Sequence, residues 1–119
     1  MAKKNQYPIG VFDSGLGGLT AVKELMRQLP NEDIVYFGDT ARVPYGTKSK
    51  EAIIRFSHEN TQFLLRHKVK MVMVACNSSS RFAMETLRKA YALPIVGVIV
   101  PGACKAVQMT TTQTVGVIA

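Results

Sequence analysis

Cys76 is the residue of this sequence whose chemistry is easiest to define. It follows the apolar run Met71–Ala75, which predicts a buried strand, and it precedes a segment with helical spacing. A thiol at the start of a helix loses its proton more readily than a free cysteine, whose pKa is about 8.5. Such a thiolate, next to a carboxylate-binding loop, could remove the proton alpha to that carboxylate. The alternative is a small buried side chain without a chemical role, which is common for cysteine.

Other polar residues could act together with this thiol. Asn77 and Ser78 follow it directly and offer amide and hydroxyl donors. Asp13, after the first apolar run, could orient a thiol or receive a substrate ammonium group, or it could instead cap the following helix. Tyr45 and Gly46 could offer backbone donors and a ring edge, although a turn that starts at Pro44 explains them equally well.

The glycine-rich segment 15–18 lies between the first strand and the first helix. It does not have the spacing of a dinucleotide-binding loop, because Thr20 occupies the position of the third glycine. No Gly-Lys-Ser/Thr sequence follows, which argues against a P-loop. The segment therefore predicts a tight strand-to-helix turn, whose helix start still offers free N–H groups to an anion.

Strands and helices alternate along the chain. Strands are predicted at 8–12, 34–37, 71–75, 95–100 and 114–118, and helices at 19–29, from Ser49 to about 67, after residue 78, and after Pro101. This order predicts an α/β fold in which helices flank a parallel, Rossmann-like sheet. The polar loops at 13–18, 38–46 and 76–78 all follow strands, and the carboxyl ends of parallel strands meet at one edge. The three loops should therefore form a single site.

Composition limits the class of protein. The chain has 119 residues, of which 47% are hydrophobic, and a net charge of +7 that is spread out without interleaved aromatics, so we expect no nucleic-acid partner. No signal peptide and no run of membrane-spanning length is visible, which favours a cytoplasmic location with reduced thiols and no membrane partner. His58 and His67 lack metal-ligand spacing, and we expect no metal site. Cys104 follows Pro101, Gly102 and Ala103, and we predict a structural role for it.

Three segments taken together resemble the glutamate racemases of the aspartate/glutamate racemase superfamily. They are Phe12–Leu19, Tyr36–Gly46 and Val74–Asn77, with the sequences FDSGLGGL, YFGDTARVPYG and VACN. No single segment is unique to that family, but their order and spacing are specific. The likeness extends over the whole chain, as far as the segment 96–102.

The resemblance implies an isomerase that interconverts L- and D-glutamate without a cofactor and so needs neither pyridoxal phosphate nor a metal. It implies two cysteines on opposite sides of the alpha carbon, one of which removes the proton while the other returns one. Cys76 matches the first cysteine. The positions that match substrate-binding residues are Asp13, Ser14, Tyr45, Gly46, Asn77 and Ser78. The small-molecule substrate would be glutamate, the product would feed peptidoglycan synthesis, and a homodimer is one possible assembly.

The sequence departs from the family pattern in two places. Asn-Thr-Ala usually follows the first cysteine, whereas this chain has Asn77, Ser78 and Ser79; a serine at position 79 is unusually polar for helix packing. The second cysteine, normally in a Gly-Cys-Thr-His context, is not found, and the setting of Cys104 differs. Because inversion requires a proton from the opposite face, we expect residues 1–119 alone to have negligible racemase activity.

The predicted division of the chain follows from the resemblance. Residues 1–97 would form the first of two pseudo-symmetric racemase domains, and residues 98–119 the start of the second, with the chain expected to continue beyond its last strand. Two other functions remain open. One is racemisation of aspartate or another acidic amino acid, and the other is a non-catalytic carboxylate-binding α/β module. The glycine spacing argues against a third, a nucleotide-binding domain.

Overall fold

A computed structural model describes residues 6–118. Residues 1–5 and 119 lie outside this part. Residues 1–5 include most of the segment that was considered as a signal peptide, and residues 1–5 and 119 are the outer ends of the two predicted domains. The strands and helices are β1 (Ile9–Asp13), α1 (Leu19–Gln28), β2 (Ile34–Gly38), α2 (Lys50–Leu65), β3 (Met71–Val74), α3 (Asn77–Phe82), α4 (Met84–Ala90), β4 (Ile95–Gly97) and α5 (Ile99–Met109). Two short 3-10 turns, Thr40–Arg42 and Tyr45–Thr47, lie between β2 and α2.

The four strands form one sheet in the order β2-β1-β3-β4, and every neighbouring pair is parallel. The predicted α/β class with a helix-flanked parallel sheet is confirmed. β1 lies in the interior of the sheet and all five of its residues are buried, as its uninterrupted apolar run predicts. In register, Asp13 at the end of β1 lies beside Gly38 at the end of β2. The first two polar loops therefore leave the sheet side by side.

The main core lies between the sheet and the helices α2 and α4. Phe12 and Val74 are paired in register on β1 and β3, and both are fully buried against Leu64 of α2 and Leu87 of α4. Ser49 caps α2 as predicted, since its hydroxyl accepts a hydrogen bond of 3.1 Å from the backbone N–H of Ala52. The cap fixes where α2 begins and so where the preceding loop must end.

Helix α1 buries less than its apolar spacing suggests. None of its residues is fully buried, and Leu19 and Met26 are 45% and 61% exposed. Val22 and Leu25 are half-buried. The stripe is amphipathic as predicted, but the described part of the chain covers only a portion of it.

Four predicted elements differ from the structure, three of them in their bounds or continuity. The third predicted helix is two helices, α3 and α4, which meet at Ala83. The fourth strand was predicted to reach Val100 but ends at Gly97, because its partner β3 ends at Val74 and the two residues are paired in register. Beyond that point no neighbouring strand can accept the backbone hydrogen bonds, and the chain turns into α5, which begins two residues before the predicted start at Pro101.

The predicted fifth strand, at 114–118, is wrong. These residues pair with no strand in the described chain, and Val117 is 85% exposed. Apolar residues alone do not make a strand, because the backbone groups need a partner. The division into domains 1–97 and 98–119 stays a prediction.

Among residues 6–118, no helix combines the length and apolar character needed to cross a lipid bilayer.

Candidate active site

A cavity of about 490 Å³ lies at the carboxyl ends of β1 and β3. Five of the seven predicted site residues line it, namely Asp13, Ser14, Cys76, Asn77 and Ser78. Its other lining residues are Gly17, Gly18, Thr20, Ala21, Ala75 and Val98. The first and third predicted loops are thus brought together, as expected for the carboxyl edge of a parallel sheet.

Asp13 is buried, and backbone groups hold both of its carboxylate oxygens. Oδ1 accepts a 2.7 Å hydrogen bond from the N–H of Ser14, and Oδ2 accepts one of 2.6 Å from the N–H of Gly18. Gly18 is the N-cap residue of α1, so Asp13 binds the turn that leads into this helix and does not cap its first turn. The carboxylate has therefore a fixed orientation at the cavity and stabilises the turn at the same time.

Cys76 lies at the boundary between the cavity and an apolar cluster. It is 4% exposed and packs with Tyr45, Ile53 and Phe56 on one side, while it borders the cavity on the other. Cys76 precedes α3, with its backbone in an extended conformation. Cys76 is thus a buried residue at the edge of the cavity.

Asn77 and Ser78 begin α3, and a neighbouring serine ties this helix to the sheet. Asn77 is exposed and Ser78 is half-buried, and both line the cavity. The buried Ser80 hydroxyl donates a 3.0 Å hydrogen bond to the Val74 carbonyl and accepts one of 3.2 Å from the N–H of Val98. Ser80 therefore joins the ends of β3 and β4 below the cavity.

Tyr45 and Gly46 do not line the cavity. The Tyr45 side chain is 1% exposed and points into the cluster behind Cys76, and its hydroxyl donates a hydrogen bond to Asp39. Burial, reinforced by the hydrogen bond to Asp39, raises the pKa of Tyr45, so the phenol keeps its proton. Gly46 is exposed, and no atom lies within 4 Å of where its Cβ would be. The predicted ring edge for a ligand is therefore not presented in this structure.

Sequence reasoning missed two residues that hold the first loop in place. The Tyr36 hydroxyl donates a 2.6 Å hydrogen bond to the Gly15 carbonyl, and the Asp39 N–H donates one of 2.9 Å to the Asp13 carbonyl. Burial and the Asp13 carboxylate raise the pKa of Tyr36. Both residues belong to the segment 36–46 that carries the family resemblance, and this was the only signal that pointed to them.

Ser79, the polar departure from the family pattern, has a partner. Its hydroxyl lies 2.9 Å from the Ser57 hydroxyl of α2, and both side chains are fully buried. Ser57 also donates to the Ile53 carbonyl at 2.7 Å. Helix packing at position 79 is therefore maintained by a hydrogen bond between two serines.

Cys104 lies away from this site. It is exposed on α5, beside Ala103, Val107 and Gln108, and it is not packed in a core as a structural cysteine would be. Among residues 6–118, no group of three or more His, Cys, Asp or Glu side chains is arranged to hold a metal ion.

Curated relatives match nearly the whole chain. The glutamate racemase of Lactococcus lactis subsp. cremoris is 53% identical over 112 residues, which are 94% of this chain and 41% of that protein. That of Geobacter metallireducens is 54% identical over 110 residues, 92% of this chain and 41% of that protein. The chain spans about two fifths of the length of these relatives. No protein-family model matches it.

Solved structures of glutamate racemases share the fold. The enzyme from Aquifex pyrophilus superposes with a TM-score of 0.87 at 47% identity, over 90% of this chain and 42% of that one. The enzyme from Francisella tularensis, solved with D-glutamate, superposes with a TM-score of 0.81 at 50% identity, over 85% of this chain and 39% of that one. By sequence and by superposition of structures, this chain is homologous to the N-terminal portion of the glutamate racemases.

Proposed function

We propose that this chain supplies one half of the active site of a glutamate racemase that works without pyridoxal phosphate or metal. The observation that carries the proposal is the cavity that Cys76 and Asp13 line together with the polar residues Ser14, Asn77 and Ser78. A cavity with one thiol, one fixed carboxylate and several hydrogen-bond donors suits a zwitterionic amino acid. Glutamate is the proposed substrate, and the solved relative that holds D-glutamate supports this choice.

In the proposed reaction the Cys76 thiolate removes the proton from the alpha carbon of glutamate. The electron pair of the C–H bond is left on the substrate as a carbanion delocalised into its carboxylate, and the sulfur becomes a thiol. Hydroxyl and amide donors of Ser14, Asn77 and Ser78 would bind the carboxylate whose charge grows in this step. A second acid on the opposite face of the substrate then returns a proton to the alpha carbon.

The wider setting is part of the same proposal. D-Glutamate would be the product used in peptidoglycan synthesis. We place the protein in the cytoplasm because thiolate chemistry needs a reduced cysteine. A homodimer is also proposed, and light scattering on the purified protein would give its mass in solution.

Residues 1–119 alone should not racemise glutamate at an enzymatic rate. Only one thiol borders the cavity in the described part of the chain, and Cys104 is exposed on α5. A single thiol mostly returns the proton to the face from which it came, so the configuration is retained. Chiral chromatography of L-glutamate incubated with the chain should reveal no D-glutamate above the level without protein. Formation of D-glutamate at ordinary enzymatic rates would refute this expectation.

Glutamate should protect Cys76 from a thiol reagent. In a Cys104→Ser variant Cys76 is the only remaining thiol, because the chain has two cysteines. Both enantiomers of glutamate should slow its alkylation by iodoacetamide, since a ligand in the cavity covers the sulfur. Mass spectrometry against time gives the rate.

The specificity control is aspartate at the same concentration. Protection by aspartate and not by glutamate would favour the alternative substrate. A rate that neither amino acid changes would argue against an amino-acid site at Cys76.

A further inference from the structure

Three buried polar side chains lie behind Cys76, and we refer to Asp39, Tyr45 and Asn60 as the Tyr45 network. The Tyr45 hydroxyl donates a hydrogen bond to Asp39 Oδ2 and accepts one of 2.9 Å from Asn60 Nδ2. The three residues are 5%, 1% and 1% exposed. Buried polar groups are costly to leave without a partner, so such a network favours one arrangement of the side chains over others.

Arg42 connects the Tyr45 network to α2. Its Nε donates a 2.7 Å hydrogen bond to Asp39 Oδ2, and its guanidinium forms an ion pair with Glu59. The guanidinium carbon lies 4.0 Å from the ring centre of Phe56, a favourable cation–π contact. The Arg42 Nη2 also lies 3.4 Å from Asn60 Oδ1. Asn60 thus uses both ends of its amide to bind the loop.

The Tyr45 network reaches both sides of the cavity. The Tyr45 ring packs on Phe56, with ring centres 5.6 Å apart, and belongs to the apolar cluster that includes Cys76. On the other side, the backbone N–H of Asp39 donates to the carbonyl of Asp13. A shift of Tyr45 would therefore change the packing of the cluster that surrounds Cys76.

We propose that Asn60 is a positioning residue for the Cys76 thiol. Its amide holds the Tyr45 hydroxyl, the hydroxyl fixes the ring, and the ring belongs to the apolar cluster in which Cys76 packs. Asn60 itself does not line the cavity. The inference rests on the proposed function in that it takes Cys76 as the reacting thiol.

The test measures how fast Cys76 is alkylated in the 119-residue chain carrying Cys104→Ser. Asn60→Leu keeps the approximate size of the side chain and removes both hydrogen bonds. We expect this change to raise the alkylation rate about tenfold to a hundredfold under native conditions, because the packing of the apolar cluster around Cys76 loosens. The rate is recorded at several pH values on both sides of the ordinary thiol pKa of about 8.5, which separates accessibility from ionisation.

Thr61→Val is the matched control. Thr61 is the next residue on α2 and is fully buried, and within residues 6–118 its hydroxyl bonds only to the Ser57 carbonyl, at 2.8 Å. A general loss of stability would raise the alkylation rate of Cys76 in both variants, whereas the loss of positioning by Asn60 would raise it only in Asn60→Leu. Melting temperatures of both variants are measured so that their rates can be compared at equal stability.

Tyr45→Phe provides a second variant in case Asn60→Leu does not fold. It keeps the ring and removes only the hydroxyl, so it should reproduce the faster alkylation. In the Tyr45→Phe background, Asn60→Leu should add little further change, because the bond through which Asn60 acts is already gone. Equal rates for Asn60→Leu, Tyr45→Phe and Thr61→Val would overturn the inference.

The effect of Asn60→Leu on the alkylation rate can be interpreted separately from the test of whether glutamate protects Cys76. Absence of protection by glutamate would contradict the proposed racemase site and leave the effect of Asn60 on the thiol unaffected. Conversely, unchanged alkylation in Asn60→Leu would refute the positioning role even if glutamate protects Cys76.

Discussion

Cys76→Ala is expected to lower the rate of glutamate racemisation by a factor of about 10²–10⁴ or more, the range typical for loss of a general acid–base group. The assay uses a chimera in which this chain replaces the matching 41% of the Lactococcus lactis glutamate racemase. Without the sulfur, the cavity residues in the described part of the chain include no other thiol that could take the alpha proton. Circular dichroism of glutamate reports the interconversion.

Two further variants separate chemistry from packing. Cys76→Ser nearly preserves the volume and supplies a hydroxyl that is a far weaker acid than a thiol, so it should be almost as inactive as Cys76→Ala. Cys104→Ala should leave the rate within about twofold of the unsubstituted chimera, because Cys104 is exposed on α5. Retention of activity in Cys76→Ser would rule out the thiol as base. An inactive unsubstituted chimera would count against the proposed function itself.

Gly38→Ala is expected to lower the free energy of unfolding by about 1–3 kcal/mol or more, the usual cost of forcing an extra group into a packed site. A Cβ at Gly38 would lie 2.4 Å from the backbone carbonyl oxygen of Gly15, a contact that backbone atoms cannot avoid by a rotamer change. The same oxygen accepts the 2.6 Å hydrogen bond from Tyr36, so moving it away breaks a second interaction. Urea unfolding followed by far-ultraviolet circular dichroism gives the free energy.

Gly102→Ala is the control for this prediction. Gly102 lies within α5, and no atom lies within 4 Å of where its Cβ would be. Alanine is the better helix former by about 1 kcal/mol, so this variant should be unchanged or more stable. If both variants unfold at the same urea concentration, the close approach of Gly38 to the Gly15 carbonyl does not make a larger side chain at position 38 destabilising.

The sequence predicted the elements that depend on neighbours along the chain. The apolar run before Asp13 became β1, and the capping serine Ser49 begins α2 as expected. The alternation of strands and helices gave the parallel sheet, because covered strands and amphipathic helices have different periods. Once the sheet is parallel, loops that follow its strands must share one edge, and for this reason the sequence alone predicts that Asp13 and Cys76 belong to one site, whose cavity both residues line.

Strand limits depended on pairing and could not be predicted from the chain itself. The run Ile95–Val100 has strand-like composition throughout, but β4 stops at Gly97 because β3 offers no partner beyond Val74. The segment 114–118 has the same composition and forms no strand in the described chain. Composition reports the preference of a residue, whereas a strand also requires a second strand beside it.

The order of residues along the chain is enough to predict which residue types reach the carboxyl edge of the sheet, whereas the directions in which their side chains face depend on contacts between distant segments. Tyr45 was predicted to face a ligand, yet it faces inward because Asp39 and Asn60 provide the partners that a buried hydroxyl requires. Asn60 is mid-helix, with no local signal of its role, and Ser79 is satisfied by Ser57, which lies 22 positions away. Hydrogen bonds between distant segments form only after the chain has folded, so no pattern along the sequence encodes them locally.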